Sequence, residues 1–386
     1  MALAQELESF VDTFEALEDP RIERGRLHPL PEVLLVTLCG VIAGCEGWAD
    51  IEHFAHQRID FLRRYRPFVH GVPSDDTLRR VFRALDPEPF SALFGTWAQR
   101  WYRAEPGDGA EDEPGGVPAR QIAIDGKALR GSSDAGGAAL HVVSAFATEA
   151  RVVLGQRAVG DKSNEIVAIP ELLEALDVTG ATVTIDAIGC QRTIAERICA
   201  GGGHYVLGLK DNQPGLREAV ELFFDSPPAG AVFDTDEQVD KGHGRIEVRR
   251  TSVCTEVRWL RSAHPGWSTL GAIVRIEAER RIGHDRSVER RYYLASAGEL
   301  TAREAQAAVR SHWAVENGLH WVLDMSFGED ACRVRRGHAV ANLAVVRRAV
   351  LGAINAVKPA RQSVKRMRKI AGWSEQVLEQ VLQQLI

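Results

Sequence analysis

Apolar positions recur at helical spacing through residues 1–104 and give way to strand-like runs from Gln121 onward. The helical part comprises FVDTFEALEDP, LPEVLLVTLCGVIAGCEGWADIEHFAHQRIDFLRRY, SDDTLRRVFRALDP and FSALFGTWAQRWYR, punctuated by Pro20, Pro29, Pro67, Pro73 and Pro87. It predicts an N-terminal all-helical domain. Ser74 caps its short helix Thr77–Leu85, a candidate DNA-reading helix, although that motif is degenerate. The strand runs QIAID, LHVVSAFAT and RVVLGQRAV come next. After them are a helix over 165–176, the strand ATVTID, a helix over 192–200 and the strand HYVLGLK. This order predicts an α/β fold with a mixed sheet and helices on its faces. Residues 225–298 read as an inserted, mostly β subdomain, including the hairpin GAIVRIEAERRI-GHDR-SVERRYYLAS.

The chain then returns to helical spacing in Thr301–Asp330. Thr301 and Glu304 fit a capping box and Gly328 fits a stop, which predicts one long helix. Val309, Trp313, Val315, Leu319, Val322, Leu323 and Phe327 form one apolar arc. Glu316 falls inside the arc and is expected to face the core, where a lone carboxylate needs a cation, a partner or a raised pKa.

Composition changes this picture in three places. EPGDGAEDEPGGVP at 105–118 is a linker, so the core divides into 119–224 and 299–350 around the insertion, with a basic helical tail at 351–386. The formal charge of -6 excludes a globally basic nucleic-acid binder. From Ala331 to Ser374, however, there is no acid, while Arg333, Arg335, Arg336, Arg347 and Arg348 open a run of basic residues that continues to Lys369. The cysteines lack metal spacing, the N-terminus lacks a basic leader and the run Val33–Cys45 is short for a bilayer. Those features lead to the expectation of a reduced, cytoplasmic protein without a membrane partner.

The candidate chemistry lies at strand ends. Asp125 in IAIDGK and Asp186 in TIDAIG terminate apolar strands, where α/β sheets collect ligands. Together with Glu316 they would repel one another unless cations held them. Divalent ions such as Mg²⁺ suit carboxylates and phosphate oxygens, and a pair of such ions serves in-line displacement at phosphorus. Lys127 and Arg130 follow the first acid, and Lys210, Asn212 and Gln213 follow the later strand, as candidate phosphate contacts. His320, one turn beyond Glu316, reads as structural, because Mg²⁺ disfavours imidazole.

DPR, W-ADIEHF, GVPSDDTLRRVFRALDP, IAIDGKALRGS, KSNEI, TIDAIGCQ, YVLGLKDNQP and HWAVENGLHWVLDMSFGEDACRVR resemble the H-repeat-associated (ISAs-type) insertion-sequence transposases of the DDE class. The resemblance implies an RNase H-like core split by the β-rich insertion and an acidic triad of Asp125, Asp186 and Glu316. It further implies two Mg²⁺ or Mn²⁺ ions per site, and cutting and joining of double-stranded transposon ends and target DNA. Joining two ends calls for two sites, hence a homodimer on DNA. Many related enzymes carry a Tyr-Arg-Glu-Lys signature around the glutamate. Here His312 stands at the Arg place and Leu323 near the Lys place, leaving Arg310, His312 and Trp313 as substitutes to test. Two rival readings share the triad: a nuclease without strand transfer, and a silent transposase-derived DNA-binding protein.

Overall fold

The computed structural model describes residues 14–103, 120–133, 138–160, 165–242 and 244–385. The linker at 105–118 and Lys162, Ser163 and Asn164 of the KSNEI motif lie outside them.

The N-terminal helices are α1 (Leu30–Ile42), α2 (Trp48–Gln57), α3 (Ile59–Leu62), α4 (Asp75–Ala84) and α5 (Pro87–Arg103). Ser74 caps α4 by accepting a hydrogen bond from the Thr77 amide, and Leu78, Val81 and Phe82 are the buried face of that helix. The sheet strands are β1 (Gln121–Ala128), β2 (His141–Ala147), β3 (Val152–Val159), β4 (Thr182–Ile185), β5 (His204–Leu209), β6 (Asp234–Gly242), β7 (Arg245–Cys254), β8 (Ala272–Ile282) and β9 (Asp285–Ala295). Between them run α6 (Glu165–Glu174), α7 (Arg192–Ala200), α8 (Pro214–Asp225) and α9 (Arg258–Ala263).

All nine strands form one mixed sheet in the order β3-β2-β1-β4-β5-β9-β8-β7-β6. Strands β1, β4 and β5 are mutually parallel, and the other pairings are antiparallel. The segment at 225–298 is therefore not a separate subdomain. Strand β9 pairs with β5 from Val206↔Ala295 to Leu209↔Tyr292, so the insertion extends the core sheet. The physical reason lies in β5. Its Tyr205, Val206, Leu207 and Leu209 are all buried, and an open edge there would leave backbone donors and acceptors without partners.

The expected break at 350/351 also disappears. Helix α12 runs unbroken from Ala339 to Val357, followed by α13 (Val364–Trp373) and α14 (Glu375–Leu382). One hydrophobic core joins the N-terminal helices, the sheet and these last helices. Asn342 of α12 donates to the carbonyls of Phe82 at 2.9 Å and Leu85 at 2.8 Å. Arg368 of α13 donates to the Val41 carbonyl at 3.0 Å and lies 4.2 Å from the centre of the Phe327 ring. Two stretches, Glu23–Ile42 and Ala339–Val357, are long and apolar enough to cross a membrane, but 72% and 78% of the apolar 18-residue window in each is buried inside this fold. They are accounted for here as core helices.

The segment expected as one helix is three: α10 (Ala302–His312), a π-helical turn at Val315–His320, and α11 (Trp321–Phe327). Its ends match the sequence signals. Thr301 and Glu304 form the capping box, and Gly328 stops α11 at φ +61°, a left-handed conformation in which glycine carries no Cβ penalty.

Candidate active site

Strand β1 lines up with the broken helix. Alternate residues of a strand share a face, and Gln121, Asp125 and Lys127 meet successive points along that helix. The Gln121 amide donates to the Ala308 carbonyl at 2.7 Å. Asp125 Oδ2 lies 3.6 Å from His320 Nδ1, and Lys127 Nζ reaches Asp324 at 2.9 Å and Asp330 at 3.1 Å. The parallel register pairs Ile124 with Ile185, so Asp125 and Asp186 are the next residues on adjacent strands. Beyond Ile185 strand β4 stops, and Asp186 caps a short turn through Ile188 N at 3.0 Å.

The expectation that Glu316 faces the core is wrong. Its side chain is 56% exposed, and Trp313, counted in the same apolar arc, is 49% exposed. The π turn is the reason. One extra residue in a turn rotates the positions around it by roughly 100° relative to an ideal α-helix. Val315, Leu319, Leu323 and Phe327 then take the core, and Glu316 looks into a cleft of about 260 Å³. Asp125, Thr184, Asp186, Lys210, Arg291, Tyr293, His312 and Trp313 also line that cleft.

Asp125 and Glu316 are bridged by a residue the sequence reading assigned to structure. His320 Nδ1 is 3.2 Å from Glu316 Oε2 and 3.6 Å from Asp125 Oδ2. One ligand atom from each of the three residues lies within 4.8 Å of the others, a spacing able to hold a metal ion. Burial first, then the charges of Arg348 and Lys127, push the imidazole down to about 3, so it is neutral at pH 7. A neutral ring keeps one nitrogen lone pair free, the form that can ligate a metal. The i+4 spacing from Glu316 was the available signal; its significance depended on Asp125 arriving from β1.

Burial raises Asp125 to about 7, opposed by the hydrogen bond from Gly126 N and reinforced by Asp186, Glu165 and Glu316. Folding thus keeps a proton on Asp125 that the unfolded chain has released. The associated stability is present below about pH 4 and is lost as pH rises through about 7, with an upper bound of roughly 4 kcal/mol. His320, neutral in the fold, opposes this below about pH 6.5, so the effect is read as a difference. In EDTA the melting temperature of the wild type relative to Asp125→Asn is expected to fall between about pH 4 and about pH 7. Differential scanning fluorimetry checks it; parallel curves for the two proteins would contradict this account.

The other expected phosphate contacts divide sharply. Arg130, Lys210, Arg333, Arg335 and Arg336 are exposed. Lys127 is 9% exposed and held by two aspartates, while Asn212 and Gln213 donate to the Cys190 carbonyl, pinning the β5–α8 loop to the β4–α7 turn. Arg310 pairs with Asp240 at 2.8 Å, and His312 Nδ1 contacts Thr184 Oγ1 at 3.0 Å. Arg347 and Arg348, expected at a DNA surface, are instead buried: they are 5% and 2% exposed, and Arg348 pairs with buried Glu329 at 2.9 Å. Helix α12 is packed on nearly every side, so its arginines have no route to a DNA surface.

Carboxylates gathered where the parallel pairing of β1 and β4 ends, beside a cleft with cations on its wall, define a class of site suited to metal-dependent chemistry on phosphodiesters. Family comparison makes that class specific. Residues 117–352 match the transposase DDE domain, and residues 11–98 match the domain associated with it. YncI of Escherichia coli O157:H7 is 37% identical over 97% of this chain and 95% of its own length. The H repeat-associated protein YhhI of Escherichia coli K12 is 36% identical over 98% of both. A solved piggyBac transposase synaptic complex with hairpin DNA covers 96% of this chain and 77% of its own, but at TM-score 0.40 and 10% identity it carries no argument. The chain belongs to the DDE transposase family: it is an insertion-sequence transposase that cleaves DNA and transfers strands with divalent metal.

Proposed function

We propose that Asp125, Asp186 and Glu316 are the catalytic acids and that together they hold two divalent ions, Mg²⁺ or Mn²⁺. The observation that carries this reading is the parallel register Ile124↔Ile185, which sets two aspartates side by side beneath a π turn that swings Glu316 over them. Bound ions of this kind activate an attacking oxygen and stabilise the leaving one. The chain's own contribution is orientation. Asp125 is fixed by the Gly126 amide at 2.9 Å, Asp186 by the Ile188 amide, and Glu316 by His320. An RNase H-like core is supported by the first five strands, which run in the order β3-β2-β1-β4-β5 with the acids on the central parallel pair.

DNA approaches the open side of the cleft in this reading. Lys210 and Trp313 lie at the cleft, and Arg130, Arg333, Arg335 and Arg336 are exposed on loops near the end of the catalytic helix. The decisive experiment incubates purified protein with Mg²⁺ and labelled duplexes carrying the element's ends, scoring nicked and joined products separately. Nicking without joining would leave a nuclease. Each chain supplies one triad, so two ends processed together call for two chains. Light scattering of the joined complex is expected to give a dimer; one chain per joined pair would refute the dimer.

A further inference from the structure

The cleft wall facing the carboxylates comes from β9, in the extension that the sequence reading set apart from the core. Glu289, Arg291 and Tyr293 alternate along that strand and share one face. Arg291 and Tyr293 line the cleft, and Lys210 joins them from just beyond the end of β5. Arg291 grips Glu289 with both arms of its fork, Nε to Oε1 at 2.8 Å and Nη2 to Oε2 at 3.0 Å. Its guanidinium also lies 5.6 Å from the centre of the Trp313 ring, three residues before Glu316.

An exposed arginine–glutamate pair contributes little to stability; Arg291 and Glu289 are 40% and 60% exposed. Its geometry is more informative. The guanidinium fork presents the same two parallel donors to a carboxylate and to a phosphate. Arg291, with Lys210 adding, holds Glu289 below the ordinary glutamate range. A carboxylate thus sits on a cationic wall, where two oxygens of a phosphate would make the same contacts.

We propose that Arg291, seated against Trp313 and flanked by Lys210, binds a backbone phosphate of DNA in the active-site cleft, and that Glu289 is its resident anion, displaced when that phosphate enters. The proposal rests on the cleft being the DNA site. It also answers what stands in for the missing arginine near Glu316: a cation delivered by a different strand. The exchange costs little because a carboxylate contact is traded for a phosphate contact. It also discriminates, because a lysine at 291 would retain charge but lose the paired donors.

The test is fluorescence anisotropy in EDTA with a fluorescein-labelled blunt DNA duplex and the full chain. Arg291→Gln is expected to weaken binding about tenfold and to flatten the slope of log K against log salt by about one. Arg291→Lys should fall between it and wild type. Glu289→Gln should tighten binding about threefold, and lose that gain in the Arg291→Gln background. Glu299→Gln, which removes an exposed charge outside the cleft lining, gives the general effect of one fewer acid. Equal effects of the Glu289 and Glu299 variants, or an unchanged slope for Arg291→Gln, would overturn the proposal while leaving the DNA cleft standing. Failure of the wild-type protein to bind would overturn both readings.

Discussion

Asp125→Asn, Asp186→Asn and Glu316→Gln are each expected to reduce Mg²⁺-dependent cleavage of end DNA by at least ~10³-fold. Losing one oxygen ligand from a site that stabilises developing charge costs on the order of 4 kcal/mol of transition-state stabilisation. The loss should not come from unfolding. Asp186 and Glu316 are exposed, and Asp125 is raised to about 7 by burial and by its neighbouring acids, so removing a charge relieves repulsion in the metal-free protein. Melting temperatures in EDTA should therefore stay level or rise, while stabilisation by added Mg²⁺ disappears. Single-turnover cleavage and thermal shift on the same preparations check both halves. A variant that keeps near wild-type cleavage removes its residue from the triad.

Arg348→Met is expected to destabilise the fold by about 3–5 kcal/mol, because it strands buried Glu329. Arg348 Nη1 pairs with Glu329 at 2.9 Å, with the two side chains 2% and 0% exposed, and Nε donates to Ser144 Oγ at 3.2 Å. The melting temperature should drop by roughly 4–6 °C, and adding Glu329→Leu should restore much of it by removing the unpaired charge. Binding of DNA by the fraction that stays folded should keep its salt slope. Replacing Arg333, Arg335 and Arg336 with Gln should do the opposite: an unchanged melting temperature and a slope flattened by up to about one per lost phosphate contact. Chemical denaturation and anisotropy titrations separate the two patterns. A flattened slope for Arg348→Met would return Arg348 to the DNA surface.

The sequence carried the elements whose physics is local. Helix 192–200 was legible to the residue, and the Thr301 cap and Gly328 stop were legible as side-chain and backbone preferences. Strand-end placement was legible for Asp186, where β4 stops, but not for Asp125: β1 runs on to Ala128 in antiparallel pairing with β2, and only its parallel pairing with β4 ends at Ile124. Composition separated the acid-free segment after Ala331 but not its two kinds of arginine. Arg333 sits on a loop and Arg348 on a helix enclosed by β3, α1, α4 and α5, and enclosure is a property of neighbours distant in sequence.

Tertiary structure alone decided three matters. Strand β9 joined β5 because a strand buried on both faces needs its edge covered, which delivered Arg291 to the cleft. The π turn put Glu316 in solvent: Val315, Leu319, Leu323 and Phe327 keep the core, and the extra residue turns Glu316, which an ideal wheel places among them, out toward the cleft. His320 became part of the acidic group only when β1 brought Asp125 within 3.6 Å of it. Periodicity along one chain shows which side chains avoid water; which partner they meet there depends on packing between segments far apart in sequence.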